Sequence, residues 1–406
     1  METELTELIN LHKSDIQELE DIHPEFFTAL LNEGFVVEND SHDTALCIDK
    51  VAEKYHSLDN IIITINPTLD CNLRCWYCYE ERHGGSIMSE QTIEHTINYI
   101  NSILNKRKTK SIRLSFFGGE PLIYYKQVIN PILAAISETC RTLSIEFFIS
   151  FTTNGLLITD HILTNLKRYS SNISFQIAFD GAKEFHDSIK YTKAGYSCYD
   201  HTIANAKKAL DNGYNVTIRC NYSKKSILSF VSVVEQFKEY HNLENLRFLF
   251  QKIWQEENDE ELLDLRKRIT QVIDSKFSIN SNLHKLLGNS ITKCYADYAH
   301  NFVINYDGHV YKCTARDFNA NKSIGKITSS GLVLYTLDKK TNSLPNIPYG
   351  KKCTECRIMP ICPSCAQSRI EHEYDSCPNS IDEPAMIKNI RAAFQDVSGI
   401  KLSNHT

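Results

Sequence analysis

No apolar run in this chain approaches the ~20 residues needed to cross a bilayer as a helix, so no membrane span is expected. No basic block stands out either. Asp and Glu number 50 against 44 Lys and Arg, a net charge of −6, and a nucleic-acid partner is not favoured. The opening residues, Met1-Glu2-Thr3-Glu4, are acidic and polar, unlike a secretory signal. Internal repeats and low-complexity tracts are missing as well. Without a signal, the 14 cysteines are poor candidates for a disulfide framework. They point instead to metal ligands in a reducing compartment, and the expected location is cytoplasmic. The 406 residues, 42% of them hydrophobic, suffice for two or three domains with real cores.

Cys71, Cys75 and Cys78 form a C-x3-C-x2-C run after Ile61-Ile62-Ile63-Thr64-Ile65, which reads as a buried strand. Three soft thiols therefore sit on a loop leaving a strand end, the edge where α/β sheets bind ligands. Such thiolates suit an iron–sulfur cluster or zinc. A four-iron cluster held by three cysteines leaves one iron open for catalysis; a structural zinc site is closed.

From residue 57 the chain alternates strand and helix. Strands are expected at Ile61–Ile65, Ile112–Phe117, Ile145–Phe151, Ile173–Phe179, Asn215–Cys220 and Leu246–Gln251. Helices are expected around Ile93, Ile97, Ile100 and Leu104 with Ser89 as N-cap, then over Tyr124–Cys140, Asp160–Tyr169, Asp200–Asn212 and Ile227–Tyr240. This order predicts a parallel sheet with helices outside. The strand ends carry polar motifs. Gly118-Gly119-Glu120-Pro121 follows the second strand; its glycines allow close backbone approach to a ligand, and Glu120 can accept from an ammonium group. Thr152-Thr153-Asn154-Gly155 follows the third strand, and Asp180-Gly181, then His186-Asp187, the fourth. Before the barrel, His23–Leu31 reads as a short helix and Gly34–Val37 as a strand.

Beyond a charged, helical stretch at 258–290, periodicity fades and cysteines crowd: Cys294, Cys313, Cys353, Cys356, Cys362, Cys365 and Cys377. That texture suggests a small domain stapled by metal. Its two C-x2-C pairs do not match a zinc ribbon, since five residues separate them against roughly 15–20 in a ribbon. Cys47, Cys140, Cys198 and Cys220 are scattered and read as small core hydrophobes.

Over about residues 57–385, these motifs resemble the radical S-adenosylmethionine (SAM) enzymes: the triple-Cys loop after a first strand, an aromatic Tyr77 before its last Cys, and the strand-end motifs that follow. The resemblance implies an α/β fold, a partial (β/α)6 TIM-like barrel with its active site at the strand C-terminal ends. It implies a [4Fe-4S] cluster on the catalytic Cys71, Cys75 and Cys78. SAM chelates the open iron and is cleaved to a 5′-deoxyadenosyl radical, chemistry that belongs to the cofactor. Tyr77 would lie near the adenine, and Gly118, Gly119, Glu120 and Pro121 at the SAM amino group. Thr153 and Asn154 would meet the ribose or carboxylate, and Asp180 SAM or substrate. Two departures stand out: Ala178 occupies the family's Ser position and Lys190 lies near its Arg. Trp76 is expected to pack.

The C-terminal cysteines resemble a SPASM domain, which carries two auxiliary [4Fe-4S] clusters. Its usual run is C-x2-C-x5-C-x3-C; this chain has one residue fewer before Cys365. The family's crossed pattern assigns Cys353, Cys356, Cys362 and Cys377 to a distal cluster, and Cys294, Cys313 and Cys365 to a proximal one. The latter would keep an open fourth site that a substrate thiolate suits. The implied division is a lead-in at 1–56, similar to a winged-helix leader-peptide-binding segment, a barrel at 57–257, a helical bridge at 258–290, the SPASM domain at 291–385, and a helix and tail at 386–406.

The function this implies is a radical SAM/SPASM maturase acting on a ribosomally made precursor peptide, with thioether or carbon–carbon cross-link formation. Its partners would be that peptide and a low-potential electron donor, flavodoxin or ferredoxin. The alternative enzyme is an anaerobic sulfatase-maturating (formylglycine-generating) enzyme. Those usually carry an Asp base directly after the Cys at position 313; here Thr314 stands there, and Asp317, three residues on, is the candidate base. A non-catalytic peptide chaperone would be expected to lose the triple-Cys motif, which this chain keeps.

Overall fold

Six segments in which every second residue is buried line up in sequence order as a parallel sheet. They are β1 (Asn60–Ile65), β2 (Ser111–Phe116), β3 (Glu146–Thr153), β4 (Asn172–Phe179), β5 (Asn215–Tyr222) and β6 (Leu246–Lys252). All six strands expected from residue 57 onward are present, with bounds moved by no more than two residues. The computed structural model describes residues 17–32, 36, 59–106, 109–192, 196–283, 294–298, 300–315, 317–335, 384, 387 and 390. Cys353, Cys356, Cys362, Cys365 and Cys377 lie outside the described residues, as do Cys47, most of the expected strand at 34–37 and most of the expected helix from 386.

The period of two divides the sheet into unlike faces. One row is apolar: Phe116 pairs with Phe151 and Phe151 with Phe175, and their rings stack at 5.3 and 5.1 Å. Burying each such ring contributes roughly 1.5–3 kcal/mol. The other row is polar. The Ser115 and Ser150 hydroxyls meet at 2.7 Å, and Thr152, Arg219 and Asn221 of that row reach a cavity at the strand ends. The core thus lies on the helix side of the sheet, and the opposite side is chemically free for a ligand.

The helices Glu90–Lys106, Asn130–Leu143, Asp160–Leu166, Tyr199–Asp211 and Phe230–Gln236 bear out the expected crossovers. Ser89 caps the first as expected, accepting from Thr92 N at 3.1 Å. The expected helix over 124–140 is broken: a 3-10 turn (Pro121–Tyr124) and a π turn (Tyr125–Ile129) precede Asn130. Pro131 explains the break, since it has no N–H to donate and its ring opposes the carbonyl four residues back. The stretch 227–240 is likewise divided, with 3-10 turns either side of Phe230–Gln236. A short helix at Lys183–Ile189 was not anticipated. Pro24–Asn32 is helical as expected, and Glu260–Lys276 supplies the helix of the 258–290 stretch.

The sequence did not anticipate four short strands: β7 (Phe302–Ile304), β8 (His309–Tyr311), β9 (Gly325–Thr328) and β10 (Gly331–Leu334). With three or four residues each, they are too short to show a period. β7 pairs parallel to β1 and the rest follow antiparallel, giving the order β10-β9-β8-β7-β1-β2-β3-β4-β5-β6. Among the described residues, no helix is long and apolar enough to cross a membrane.

Candidate active site

The loop leaving β1 is shaped by its own polar side chains. Thr68 Oγ1 donates to Ser86 O at 2.6 Å and accepts from Asp70 N at 2.8 Å. Asp70 accepts from Cys71 N at 2.8 Å and from Gly85 N at 3.1 Å. Arg74 donates to Cys71 O at 2.6 Å, and Arg82 to Cys75 O at 2.9 Å. The thiols of Cys71, Cys75 and Cys78 form no disulfide among the described residues and line the cavity. Burial pushes Cys71 up to about 12 and Cys75 up to about 11, so without metal both are neutral thiols at pH 7.

Among the described residues, no three His, Cys, Asp or Glu side chains converge on a single ion. Three soft thiolates on one loop suit an iron–sulfur cluster, where each iron takes one thiolate, or zinc.

Residues from the ends of five parallel strands, β2 to β6, line the cavity together with the cysteine loop that leaves β1, among them Phe117, Gly118, Gly119, Thr153, Asn154, Ala178, Asn221 and Ile253. Gly118 and Gly119 are there because of the cysteine loop. A Cβ at Gly118 would lie 2.3 Å from Thr68 O, and one at Gly119 2.1 Å from Asp70 O. Gly118 also holds φ at 100°. Gly119 N and Glu120 N donate to the carbonyls of Thr68 and Asp70 at 3.1 and 2.9 Å. The second strand's motif thus clamps the first strand's loop. Gly119→Ala is expected to cost about 1–3 kcal/mol, because backbone rather than a side chain must give way. Urea unfolding measures the cost, and iron loading after reconstitution should fall with it.

Glu120 sits one layer behind the wall. It is fully buried and accepts from Leu122 N at 3.1 Å, Thr153 Oγ1 at 2.8 Å and Asn154 N at 2.8 Å. Burial raises its carboxyl to about 7 against the pull of those hydrogen bonds. Pro121 is buried beside it. Asn154 Nδ2 donates to Asn72 Oδ1 at 2.7 Å, so the third strand's motif also grips the cysteine loop. The residues expected at SAM thus spend several of their polar groups on building the wall.

Asp180, completely buried, lies outside the cavity lining too. It accepts from the Tyr77 phenol and pairs with Lys190, whose Nζ is 2.9 Å from Oδ2. Asn221 Nδ2 donates to the Tyr77 oxygen at 3.1 Å. Burial, with the Asp180 charge second, holds the Tyr77 phenol well above its ordinary value. Lys190 Nζ also donates to Ala178 O at 2.5 Å, joining the two positions at which the sequence departs from the pattern it resembles. Asp187 caps the next crossover helix, accepting from Cys198 N and Tyr199 N at 2.8 and 3.0 Å, while His186 is buried against Phe179 and Tyr199.

Two expectations are corrected by placement. Trp76 is not packed into the core; it is 63% exposed, with only an edge contact to its neighbour Tyr77 at 5.8 Å among the described ring contacts. Asp317 is not brought to the cavity but pairs with Lys322 at 2.6 Å. Its expected role as a base has no support in this geometry. Cys140, Cys198 and Cys220 are buried as expected. Cys294 and Cys313 are brought together around Tyr295, whose phenol burial raises first and the two nearby thiols raise further. That phenol meets Thr314 Oγ1 at 2.9 Å and accepts from Thr314 N at 2.6 Å. The sequence reading missed Tyr79, Glu80, Arg219, Lys252 and Trp254, all of which line the cavity. Arg219 left a signal: with Thr217 and Asn221 it alternates with the buried Val216, Ile218 and Cys220.

Residues 65–234 match the Radical SAM superfamily. The radical SAM cyclopropyl synthase TigE of Paramaledivibacter caminithermalis is 26% identical over 255 residues, 58% of this chain and 51% of that protein; the match spans about half of TigE. A cysteine-type anaerobic sulfatase-maturating enzyme of Clostridium novyi is 23% identical over 390 residues, 83% of this chain and 95% of its own. In fold, the chain is similar to Streptococcus suis SuiB bound to the precursor peptide SuiA. The TM-score is 0.56 at 17% identity, with 89% of each chain covered.

Proposed function

Because residues 65–234 match the Radical SAM superfamily, we propose that the chain is an enzyme that modifies a ribosomally made precursor peptide, closing a thioether or carbon–carbon cross-link. The observation that carries this reading is the convergence of the three thiols of the β1 loop and the ends of the other five parallel strands on one cavity with an exposed aromatic mouth. When bound, a [4Fe-4S] cluster on Cys71, Cys75 and Cys78 together with SAM supplies a 5′-deoxyadenosyl radical for hydrogen abstraction. The chain's own residues position and shield. Gly118, Gly119, Thr153 and Asn154 form the wall that would receive SAM. Glu120 and Asp180 act through that wall, one by fixing Thr153 and Asn154, the other by fixing Tyr77.

Cys294 and Cys313, with Cys365, would hold a proximal auxiliary cluster, and Cys353, Cys356, Cys362 and Cys377 a distal one. Such clusters suit cross-linking, because a substrate radical must lose one further electron to become product. A flavodoxin or ferredoxin would supply the first electron. The peptide reading is supported by the likeness to a fold seen with a bound precursor peptide.

The full-length match to a sulfatase-maturating enzyme favours a second reading, formylglycine generation. Against it, Thr314 stands where that branch carries its base, and its hydroxyl and N–H both engage Tyr295. One experiment separates the two. The anaerobically reconstituted protein, SAM and dithionite are incubated with a candidate cysteine-containing precursor peptide, or with a sulfatase peptide bearing Cys or Ser. The expected result is 5′-deoxyadenosine and a precursor lighter by two hydrogens, with the sulfatase peptide unchanged. Formylglycine in the sulfatase peptide would establish the second reading instead.

A further inference from the structure

Both tryptophans of the chain, Trp76 and Trp254, are exposed, at 63% and 56%, on loops bordering the cavity. Tryptophan is buried on average and dominates binding hot spots when it is not. Trp254 stacks on Tyr79, centroids 5.3 Å apart and planes 16° from parallel, and both line the cavity. The loop that carries Trp254 is pinned around it. Ile253 N donates to Tyr222 O at 3.0 Å, and Gln255 Nε2 to Tyr77 O at 3.0 Å. Glu256 accepts from Lys224 N at 2.8 Å. The aromatic pair is thus held in place before anything binds, which lowers the entropy cost of binding.

A cation stands in the same cavity. Arg219 is half-buried and gives its Nε to Asn221 Oδ1 at 2.9 Å. Its terminal nitrogens make no hydrogen bond or ion pair with the described residues, and a planar guanidinium fork fits a carboxylate with two parallel bonds. Resting on the reading that the substrate is a peptide, we propose that the Tyr79–Trp254 stack seats an aromatic side chain of that peptide and that Arg219 receives an acidic side chain next to it. This pair would select the stretch of peptide presented to the cysteine loop.

The test uses the full, cluster-reconstituted chain and a tryptophan-free peptide, Ac-Gly-Gly-Phe-Asp-Gly-Gly-NH2. Binding is measured by calorimetry, and quenching of Trp76 and Trp254 fluorescence reports the site. Replacing the peptide's Phe by Ala, or its Asp by Lys, is expected to weaken binding about tenfold each. On the protein, Trp254→Leu and Arg219→Gln should weaken it about as much, while Trp254→Phe keeps most of it. Melting temperatures confirm that each variant folds, and the Trp254→Phe and Trp254→Leu pair keeps the test in force should a smaller residue unfold the loop. Equal binding of all three peptides, binding of none, or fluorescence that answers to SAM and not to peptide would overturn the proposal. If the same preparation still forms 5′-deoxyadenosine from SAM, the seat fails while the radical SAM reading stands.

Discussion

Replacing Cys71, Cys75 and Cys78 together with alanine is expected to remove about four iron and four sulfide per chain after anaerobic reconstitution, and to reduce 5′-deoxyadenosine formation to background. The fold should survive. The loop takes its shape from Thr68, Asp70, Arg74 and Arg82, and the thiols add little to it: Leu73 N reaches Cys71 Sγ at 3.5 Å, and Cys78 Sγ accepts from the Glu80 backbone and the Arg82 side chain. Without metal the Cys71 and Cys75 thiols are neutral, so no charge is lost with them. The metal-free variant should unfold within about 0.5 kcal/mol of the metal-free wild type. Iron and sulfide analysis of the two proteins side by side decides the matter. About three clusters in the wild type and two in the variant would support a three-cluster enzyme. A single wild-type cluster accompanied by zinc would make the C-terminal cysteines structural, and the cross-linking route through an auxiliary electron acceptor would have to go.

The parallel sheet was legible because its strands are long enough to show a period of two, and because the second, third and fourth end in polar motifs. The triple-Cys loop was legible from spacing alone. What stayed hidden was set by tertiary contact. Glu120 is an exposed acceptor in any local reading of Gly-Gly-Glu-Pro; it turns inward because three donors on two segments converge on it. Gly118 and Gly119 suggested close approach to a ligand, and the close approach that exists is to the carbonyls of Thr68 and Asp70. Trp76 sits among cysteines and aromatics in sequence, yet the loop turns it to solvent. β7 to β10 were beyond reach because strands of three or four residues take their identity from the edge they join, here β1. Trp254 lies just past the end of β6, and nothing local marks it; only Tyr79, 175 positions earlier in the chain, gives it a partner.

The departure at Lys190 carries the largest expected cost to stability. The side chains of Lys190 and Asp180 are 4% and 0% exposed, and Nζ stands 2.9 Å from Oδ2. Lys190→Met keeps the stem and deletes the charge, leaving a buried carboxylate with the Tyr77 phenol as its remaining partner and Ala178 O without its donor. Breaking one side of a buried pair costs about 3–5 kcal/mol, mostly the penalty of the charge left behind. Removing both charges is a different matter. In Asp180→Asn with Lys190→Met, the amide oxygen still accepts from Tyr77 and no ion is stranded, so the double variant should recover much of the loss. Urea unfolding of the two single variants and the double measures the coupling directly. A Lys190→Met cost under about 1 kcal/mol would mean that water reaches the pair, as at an exposed salt bridge. Function should follow the same order. Tyr77 immediately precedes Cys78, so loosening its phenol loosens the cysteine loop, and iron loading should fall further in Lys190→Met than in the double variant.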